Sequence, residues 1–239
     1  MGPTLANPTS EKTVEPHNCT NCPVRARHFE GPENASSWVT VSAAMTRRTY
    51  RAGQTLCVQG NGAERVFFVR SGSVRLTRVL ADGSEILLDF LGSGGVIGAN
   101  ALFGGDHATT ATACGTVQCC TATATSLRLL LPEQPGLALA LLRLLGEDAD
   151  RLRGQVAEFA SRRAEERVAR FMVQTLPQWL ASAHGFTQGD VARSLALTPE
   201  TLCRVLADFR KKMWISGQGR RLQVLQAQPL LKLAAISAS

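Results

Sequence analysis

The sequence predicts an α+β fold with an N-terminal β-roll, a long helix and a C-terminal winged helix-turn-helix. Three observations support it: short β-branched runs separated by glycine turns, a long apolar stretch at helical spacing, and two short helical patterns near the C-terminus. The 239 residues are enough for two domains. The predicted segments are a flexible arm with a Cys-x-x-Cys motif at 1–35, the β-roll at 36–132, the long helix at 133–162 and the winged helix-turn-helix at 163–239.

The first 35 residues are rich in Pro, Thr, Asn and Glu and lack periodicity, which is typical of a flexible arm. Its distinctive feature is the pair Cys19 and Cys22. Seven cysteines, an odd number, in a chain that can fold without disulfides favour thiols or metal ligands. A thiol-redox enzyme would need its Cys-x-x-Cys at a strand-to-helix junction. With four histidines and no Ser/His/acid grouping or phosphate loop, no enzyme is expected.

The sequence pattern of the segment after the arm predicts antiparallel strands. Val66–Arg70, Val74–Val79 and Glu85–Leu91 are joined by Ser71-Gly72 and by a turn that contains Asp82-Gly83. Such turns between β-branched runs predict hairpins, and a spacing near ten residues favours a closed roll or sandwich.

A long helix is predicted after Pro132. Its apolar residues recur three, four or seven apart and form one stripe, which contains Leu141, Leu145, Leu152, Val156 and Phe159. The stripe either packs on the chain's own β-domain or forms a seam between two subunits. The length of the helix and the narrowness of the stripe favour the seam, and therefore a homodimer.

Charge is distributed unevenly along the chain. The formal net charge is +7, but residues 1–150 hold 12 basic and 13 acidic side chains, whereas residues 151–239 hold 14 basic and 6 acidic ones. A polyanionic partner is therefore expected at the C-terminal third.

Composition also indicates the compartment. The chain has no run of about 18 apolar residues, so no membrane span is expected. Residues 1–18 carry no apolar stretch of the kind found in secretory signals, and a cytoplasmic protein is expected.

The C-terminal helical pair has the signals of a DNA-reading motif. Thr198 followed by Pro199 is an N-cap with Pro at the first helical position, so a second helix begins at Pro199. Its inward positions are apolar: Leu202, Val205, Leu206 and Phe209. The candidate DNA-binding residues near its N-terminus are Thr198, Glu200, Thr201, Cys203 and Arg204.

Chemistry supports this assignment, since Arg can donate two hydrogen bonds to guanine and Glu can accept one from cytosine. Gly217-Gln218-Gly219 is typical of a hairpin tip and predicts the wing. Phosphate partners are offered by Arg210, Lys211, Lys212, Arg220 and Arg221. The alternative interpretation is a helical hairpin with a solvated basic face, but capping, spacing and charge agree on DNA binding.

Three sets of residues resemble the CRP/FNR superfamily of bacterial transcription regulators. They are Arg163–Phe171, Thr198–Arg204, and a β-segment with Gly53-Gln54, Val69–Val74 and Gly94–Gly98. The resemblance covers about residues 17 to 226. It implies a β-roll sensory domain of the cyclic-nucleotide-binding jelly-roll type, a long dimerisation helix and a winged helix-turn-helix that binds palindromic double-stranded DNA as a homodimer.

The resemblance also carries residue roles. Glu200 and Arg204 match the family's base-reading pair, and the loop Ala81–Glu85 matches a segment that contacts RNA polymerase in relatives. Between Leu180 and Thr187 the chain is shorter than its relatives, at the place where they have the first strand of the wing domain.

Relatives that bind cyclic nucleotides need an acid for the ribose and an Arg for the phosphate in a glycine-rich turn. Here this turn is Gly98–Ala111, and no Lys or Arg occurs between Arg78 and Arg128. A buried phosphate without a cation would be poorly compensated. We therefore expect that the ligand is not cyclic AMP.

The FNR branch binds a [4Fe–4S] cluster through three N-terminal cysteines and one in the roll. By resemblance, Cys19 and Cys22 match two N-terminal ligands and Cys120 matches the one in the roll. The remaining N-terminal cysteine is absent, and His28 or Glu30 stands in its place. Histidine does replace cysteine in some iron–sulfur sites. Cys119 and Cys120 point to opposite faces of a strand, so only one can face the arm.

Two other interpretations of the sensor stay open. One is haem, with His17, His28, His107 or a cysteine as axial ligand, as in relatives that sense CO or NO. The other is a regulator whose Cys-x-x-Cys is residual or binds zinc weakly, since two thiolates make an incomplete zinc site.

The remaining cysteines are assigned separately. Cys203 is a small residue where DNA approaches closely, yet a thiol beside a helix N-terminus and Arg204 is also expected to oxidise readily. Cys57 and Cys114 are interpreted as small hydrophobic residues of the roll.

Overall fold

A computed structural model describes residues 21–29, 32–161, 163–176 and 187–234. The β-roll consists of β1 (Thr46–Tyr50), β2 (Thr55–Cys57), β3 (Arg65–Ser71), β4 (Val74–Val79), β5 (Glu85–Leu91), β6 (Val96–Ile97), β7 (Thr110–Ala113) and β8 (Val117–Thr123). Within the described ranges these strands form two four-stranded antiparallel sheets, in the orders β1-β8-β3-β6 and β2-β7-β4-β5. The predicted α+β fold with a jelly-roll domain is confirmed.

The helices of the first half flank the roll. They are α1 (Pro23–His28) and α2 (Pro32–Ala43) before it, and α3 (Ala124–Leu130) and the long α4 (Pro135–Ser161) after it. A 3-10 helix, Ala99–Phe103, lies between β6 and β7, between the left-handed residues Gly98 and Gly104.

The C-terminal domain begins with α5 (Ala164–Arg170), which continues as a π-helical turn over Phe171–Thr175. The helical pair is α6 (Gln188–Ser194) and α7 (Pro199–Lys211), and the wing is β9 (Ile215–Ser216) with β10 (Gln223–Val224). The last element is α8 (Ala227–Leu233). At the wing tip, Gly217 has φ +77°, and a Cβ there would lie 1.9 Å from the carbonyl oxygen of Arg221, so the turn requires glycine.

The described part of the arm predicted for 1–35 differs from a flexible segment. Val24 and Phe29 are buried, and the helix α2 crosses the predicted boundary at residue 36. The reason is a helical spacing of apolar side chains that the prolines and polar residues around it concealed. Trp38, Val41 and Met45 recur three and four apart and pack on the roll. Cys19 lies outside the described residues.

Among the described residues, the buried side chains form three hydrophobic clusters. One lies between the two sheets and includes Cys119. A second lies on the outer face of the β1-β8-β3-β6 sheet, under α1 and α2, and includes Cys22 and Cys120. The third is the core of the C-terminal domain, which also takes in Leu87 from β5 of the roll. Cys119 and Cys120 thus face opposite sides of β8, as predicted.

The helix α4 is divided between two environments. Leu137 and Ala140 are buried against the roll, and Leu141 packs partly against the same cluster. Further along, Leu145, Leu152 and Val156 of the predicted stripe are 39%, 49% and 67% exposed in the single chain. The side chain of Phe159 is not among those described. The first half of α4 therefore belongs to the roll, and the stripe beyond it is open.

No helix in the described ranges is long and apolar enough to cross a membrane. The chain stretch from Leu180 to Phe186, where relatives have the first strand of the wing domain, lies outside the described residues.

Candidate functional site: a nucleic-acid interface and a thiol pair

The N-terminus of α7 is built as the sequence predicts. Thr198 is the N-cap, and its Oγ1 accepts a hydrogen bond from the backbone N–H of Thr201 at 3.2 Å. The four predicted inward side chains are buried, including Leu202 and Phe209. With these facing the core, Glu200, Cys203 and Arg204 lie on the exposed face.

The two threonines of the candidate set already have partners in the protein. The Oγ1 of Thr198, which caps the helix, also lies within hydrogen-bond distance of the Thr201 hydroxyl, at 3.1 Å. Thr201 is half-buried. Their observed role is to fix the start of α7, and contact with DNA remains a prediction for both.

Glu200 is exposed, and the hydrogen bonds to its carboxyl group favour the anionic form. Hydrogen bonds from its own backbone N–H and from the Thr198 side chain lower the pKa of its carboxyl group. It is therefore ionised at neutral pH and can accept a hydrogen bond from a base edge. Arg204, four residues further on, lies one helical turn away on the same face.

Cys203 links the two helices of the motif. Its Sγ donates to Oε1 of Gln188, the first residue of α6, over 3.6 Å. The turn between the helices contains Ala196 with φ +51°, whose carbonyl oxygen accepts from Nη1 of Arg167 at 3.4 Å. Sequence reasoning missed these two contacts because they join elements distant along the chain.

The predicted phosphate partners divide into two groups. Arg210 Nε donates to the Gly217 carbonyl at 2.9 Å, which ties α7 to the wing, and Lys212 pairs with Asp208 at 2.6 Å. Lys211 and Arg221 are exposed. The side chain of Arg220 is outside the described set.

The thiols of Cys22 and Cys120 share one buried cluster. They are 2% and 4% exposed, and they interact electrostatically. Burial raises the pKa of Cys120, the Arg70 guanidinium opposes this by charge and by a hydrogen bond, and Cys22 raises it further. On the other face of β8, burial raises the pKa of Cys119 to about 12. Of these two thiols, only Cys120 shares a buried cluster with Cys22 and has a cation beside it.

His28 lies at the opposite end of α1 from Cys22. Its Nε2 donates to the Gly94 carbonyl at 2.8 Å, which leaves Nδ1 buried without a hydrogen-bond partner among described residues. In the part of the chain that the structure describes, no three His, Cys, Asp or Glu side chains are grouped as a metal site. The structure therefore brings Cys22 and Cys120 together but does not bring His28 to them. Glu30 is outside the described residues.

The other histidine considered for haem, His107, is buried beside Phe67. Burial lowers its pKa, and nearby Asp106 opposes the shift. His107 follows the 3-10 helix of the glycine-rich turn, where Gly98 makes room for it: a Cβ on Gly98 would lie 3.0 Å from the imidazole Cε1. His17 lies outside the described residues.

The thiol pair is close to the long helix. Arg27 of α1 forms an exposed ion pair with Glu147 of α4 at 3.5 Å, and α2 packs along α4. The helix α1 thus contacts both α4 and strand β3 of the roll.

Comparisons with known proteins agree with this architecture. The sequence profile of the cyclic nucleotide-binding domain matches residues 47–134, and that of the Crp-like helix-turn-helix domain matches residues 166–233. A CRP-like cAMP-activated global transcriptional regulator of Mycobacterium tuberculosis is 26% identical over 222 residues, which cover 88% of this chain and 97% of that protein.

Two further matches are a second regulatory protein and a solved structure with the same fold. The fumarate and nitrate reduction regulatory protein of Vibrio cholerae is 26% identical over 200 residues, covering 80% of this chain and 79% of that one. The structure of FixK2 from Bradyrhizobium japonicum superimposes with a TM-score of 0.65 at 23% identity, over 81% of this chain and 99% of that chain.

Proposed function

The chain belongs to the CRP/FNR superfamily of DNA-binding transcription regulators, and we propose that it acts as a homodimer that reads palindromic double-stranded DNA. The observation that carries this proposal is the outer face of α7, where an ionised Glu200 and Arg204 stand exposed on a capped helix. In helix-turn-helix proteins, these N-terminal side chains meet base edges in the major groove.

Selection from a random duplex library tests this function. The purified full chain is expected to enrich a two-fold symmetric site with half-site centres about 34–36 Å apart, one helical turn of DNA. Enrichment of no sequence, or of an unpaired half-site only, would contradict the proposal.

The second part of the proposal concerns the signal. We propose that the regulator responds to oxygen, NO or redox state through a [4Fe–4S] cluster held by Cys19, Cys22 and Cys120. The buried pair Cys22 and Cys120, with Arg70 beside it, supports two of these ligands. The structure gives no support to His28 as a fourth ligand, because in the described residues it is not grouped with Cys22 and Cys120 as a metal site. When bound, such a cluster supplies reactivity toward oxygen and NO, while α1 passes the change to α4.

A spectrum of anaerobically purified protein tests this part. Stoichiometric iron and acid-labile sulfide, lost on exposure to air, are expected from the wild type and reduced in Cys120→Ser. The variant Cys119→Ser is the matched control because that thiol faces the other side of β8. If the purified protein contains neither iron nor acid-labile sulfide, the cluster hypothesis is excluded. A sharp Soret band after haem titration would favour a haem sensor, in which His28 or His107 is the buried candidate ligand.

The third part is contact with RNA polymerase through the loop Ala81–Glu85. This exposed turn is pre-formed, since Asp82 Oδ1 accepts hydrogen bonds from the backbone N–H and hydroxyl of Ser84, which lower the pKa of Asp82. An Asp82→Ala variant is expected to bind DNA normally and to activate transcription less in a purified system. Unchanged activation would exclude the loop.

A further inference from the structure

A cleft of about 610 Å³ lies where three parts of the molecule meet: strand β5 of the roll, the far half of α4, and the DNA-binding domain from α5 to the turn after α6. Its size falls within the range of pockets that hold small organic molecules, about 300–1,000 Å³. Nothing in the DNA-reading face or in the thiol pair uses it.

The lining of the cleft is strongly basic. It contains the guanidinium groups of Arg151, Arg167, Arg170 and Arg193, but a single carboxylate, Asp89. Arg151 pairs with two carboxylates, Asp89, whose Oδ2 accepts from its Nη1 at 2.6 Å, and Asp148 outside the lining, and Arg193 pairs with Asp190, also outside the lining. The other two arginines of the lining are Arg167 and Arg170. The Nε of Arg167 is buried and has no hydrogen-bond partner in the described structure. Planar guanidinium groups recognise phosphate oxygens in pairs, so this donor set suits an anion.

Most of the remaining wall of the cleft is apolar and includes Leu88 and Phe90 of β5 and Phe171 of the DNA-binding domain. Gln174, Thr175 and Ser194 add polar groups to it. Gly154 opens the α4 side, since a Cβ built there meets no atom within 4 Å. Side chains two residues apart in an α-helix are about 200° apart around the helix axis. Gly154 therefore points away from Leu152 and Val156, and the cleft stays accessible if that stripe is covered by a second subunit.

We propose that this cleft binds a small organic phosphate, with the phosphate on the arginines and an apolar or aromatic group against Phe90 and Phe171. The ligand would touch the roll, the long helix and the DNA-binding domain at once. Binding would thus favour one arrangement of the two domains, and DNA affinity would change by the ligand's differential affinity for the arrangements. Ligand binding in the cleft does not involve Cys22 or Cys120. It rests on the proposed function only in its predicted effect on DNA affinity.

The experiment measures binding of adenosine 5′-monophosphate and inorganic pyrophosphate to the full chain without DNA, by calorimetry, with sodium sulfate at equal ionic strength as reference. We expect saturable binding of adenosine monophosphate, at least tenfold weaker in Arg167→Gln and in Gly154→Leu. The matched control is Arg153→Gln, an exposed arginine of α4 whose partner is Asp150 outside the cleft. It should bind like the wild type.

The variants separate loss of the site from loss of the fold. Leu has a better helix propensity than Gly, so Gly154→Leu should be at least as thermally stable as the wild type while it fills the cleft. Absence of binding by the wild type, or equal binding by Gly154→Leu, would overturn the proposal. If no probe binds and Arg167→Gln instead weakens binding to random duplex, the arginines contact the DNA backbone and the small-ligand site is likewise refuted. If the proposed DNA-binding function is wrong but the cleft proposal is right, the chain would enrich no sequence from the duplex library and would still bind adenosine monophosphate.

Discussion

At the scale of single residues, sequence specificity should depend on Arg204 and Glu200. A good bidentate contact discriminates between bases by about 1–3 kcal/mol, so Arg204→Ala should weaken binding to the selected palindrome about 5- to 150-fold. Binding to random duplex should change far less. Fluorescence anisotropy on both duplexes over a range of salt measures this difference.

The matched control for Arg204 is the exposed Lys211, a predicted phosphate partner. Lys211→Gln should weaken binding to both duplexes alike and lower the slope of log affinity against log salt by about 1. An equal loss on both duplexes for Arg204→Ala would show that Arg204 binds the backbone and does not read a base.

Cys203 should make DNA binding sensitive to peroxide. It is exposed, whereas Cys22, Cys57, Cys114, Cys119 and Cys120 are buried. Oxidation to a sulfenic acid would place a larger polar group at the DNA surface and would be reversed by a thiol reductant. With both proteins prepared without bound iron, we expect peroxide to weaken DNA binding of the wild type and to leave Cys203→Ser unaffected. Equal sensitivity of the two proteins would refute this role.

At the scale of an element, the start of α6 depends on the capping box formed by Thr187 and Asp190. The Asp190 carboxylate accepts from the Thr187 N–H at 2.7 Å and from its hydroxyl at 2.8 Å. Burial acts to raise the pKa of Asp190, but the hydrogen bonds from Thr187 and the charge of Arg193 outweigh it and lower the pKa. A carboxyl group with a lowered pKa stabilises the fold above the unfolded pKa, near 3.9, and this stabilisation disappears as pH falls through the folded value.

Asp190→Asn should therefore cost about 1 kcal/mol of unfolding free energy at pH 7, and progressively less as the pH falls below about 4. Urea unfolding at both pH values measures the difference. Asp150→Asn is the matched control, since Asp150 also pairs with an arginine three residues away but is 79% exposed, and it should change stability by less than about 0.5 kcal/mol. A pH-independent loss in Asp190→Asn would mean that the charge has no part in the cap.

The elements also show what the sequence could predict. The start of α7 and the wing follow from local signals, Thr198-Pro199 and Gly217, because capping and turn geometry involve neighbouring residues. The helix α1 could not be predicted, since its first residue is a proline within a polar segment and its apolar contacts lie on a distant strand. The grouping of Cys22 with Cys120 was reached only by resemblance, because the fold, and not the spacing along the chain, places both thiols in one buried cluster.

At the scale of the whole molecule, Leu87 couples the two domains. It belongs to β5 of the roll, yet it is 7% exposed and packs in the core of the DNA-binding domain. Large-to-small changes at such sites cost about 2–5 kcal/mol. Leu87→Ala should therefore separate the unfolding of the two domains into two calorimetric transitions. The adjacent Leu88, 38% exposed, is the control, and Leu88→Ala should keep the wild-type transition.

The exposed apolar stripe on the C-terminal half of α4 is the predicted interface of the homodimer. Leu145, Leu152 and Val156 recur at helical spacing and are open to solvent, on the side of the helix away from Gly154. In a monomer, a charged residue at one of these positions changes the folding free energy little, because the side chain stays in water. In a subunit interface, the same residue would be buried without a partner for its charge, which is strongly unfavourable.

Leu152→Glu should thus give a folded monomer with unchanged circular dichroism, and its affinity for the palindrome should fall to that for a half-site. Light scattering after gel filtration measures the mass, and Arg153→Gln, the neighbouring exposed position, should remain dimeric. A dimeric Leu152→Glu protein with full DNA affinity would place the subunit interface on another surface. In that case a signal at α1 would have to reach the DNA by a route other than the seam of α4.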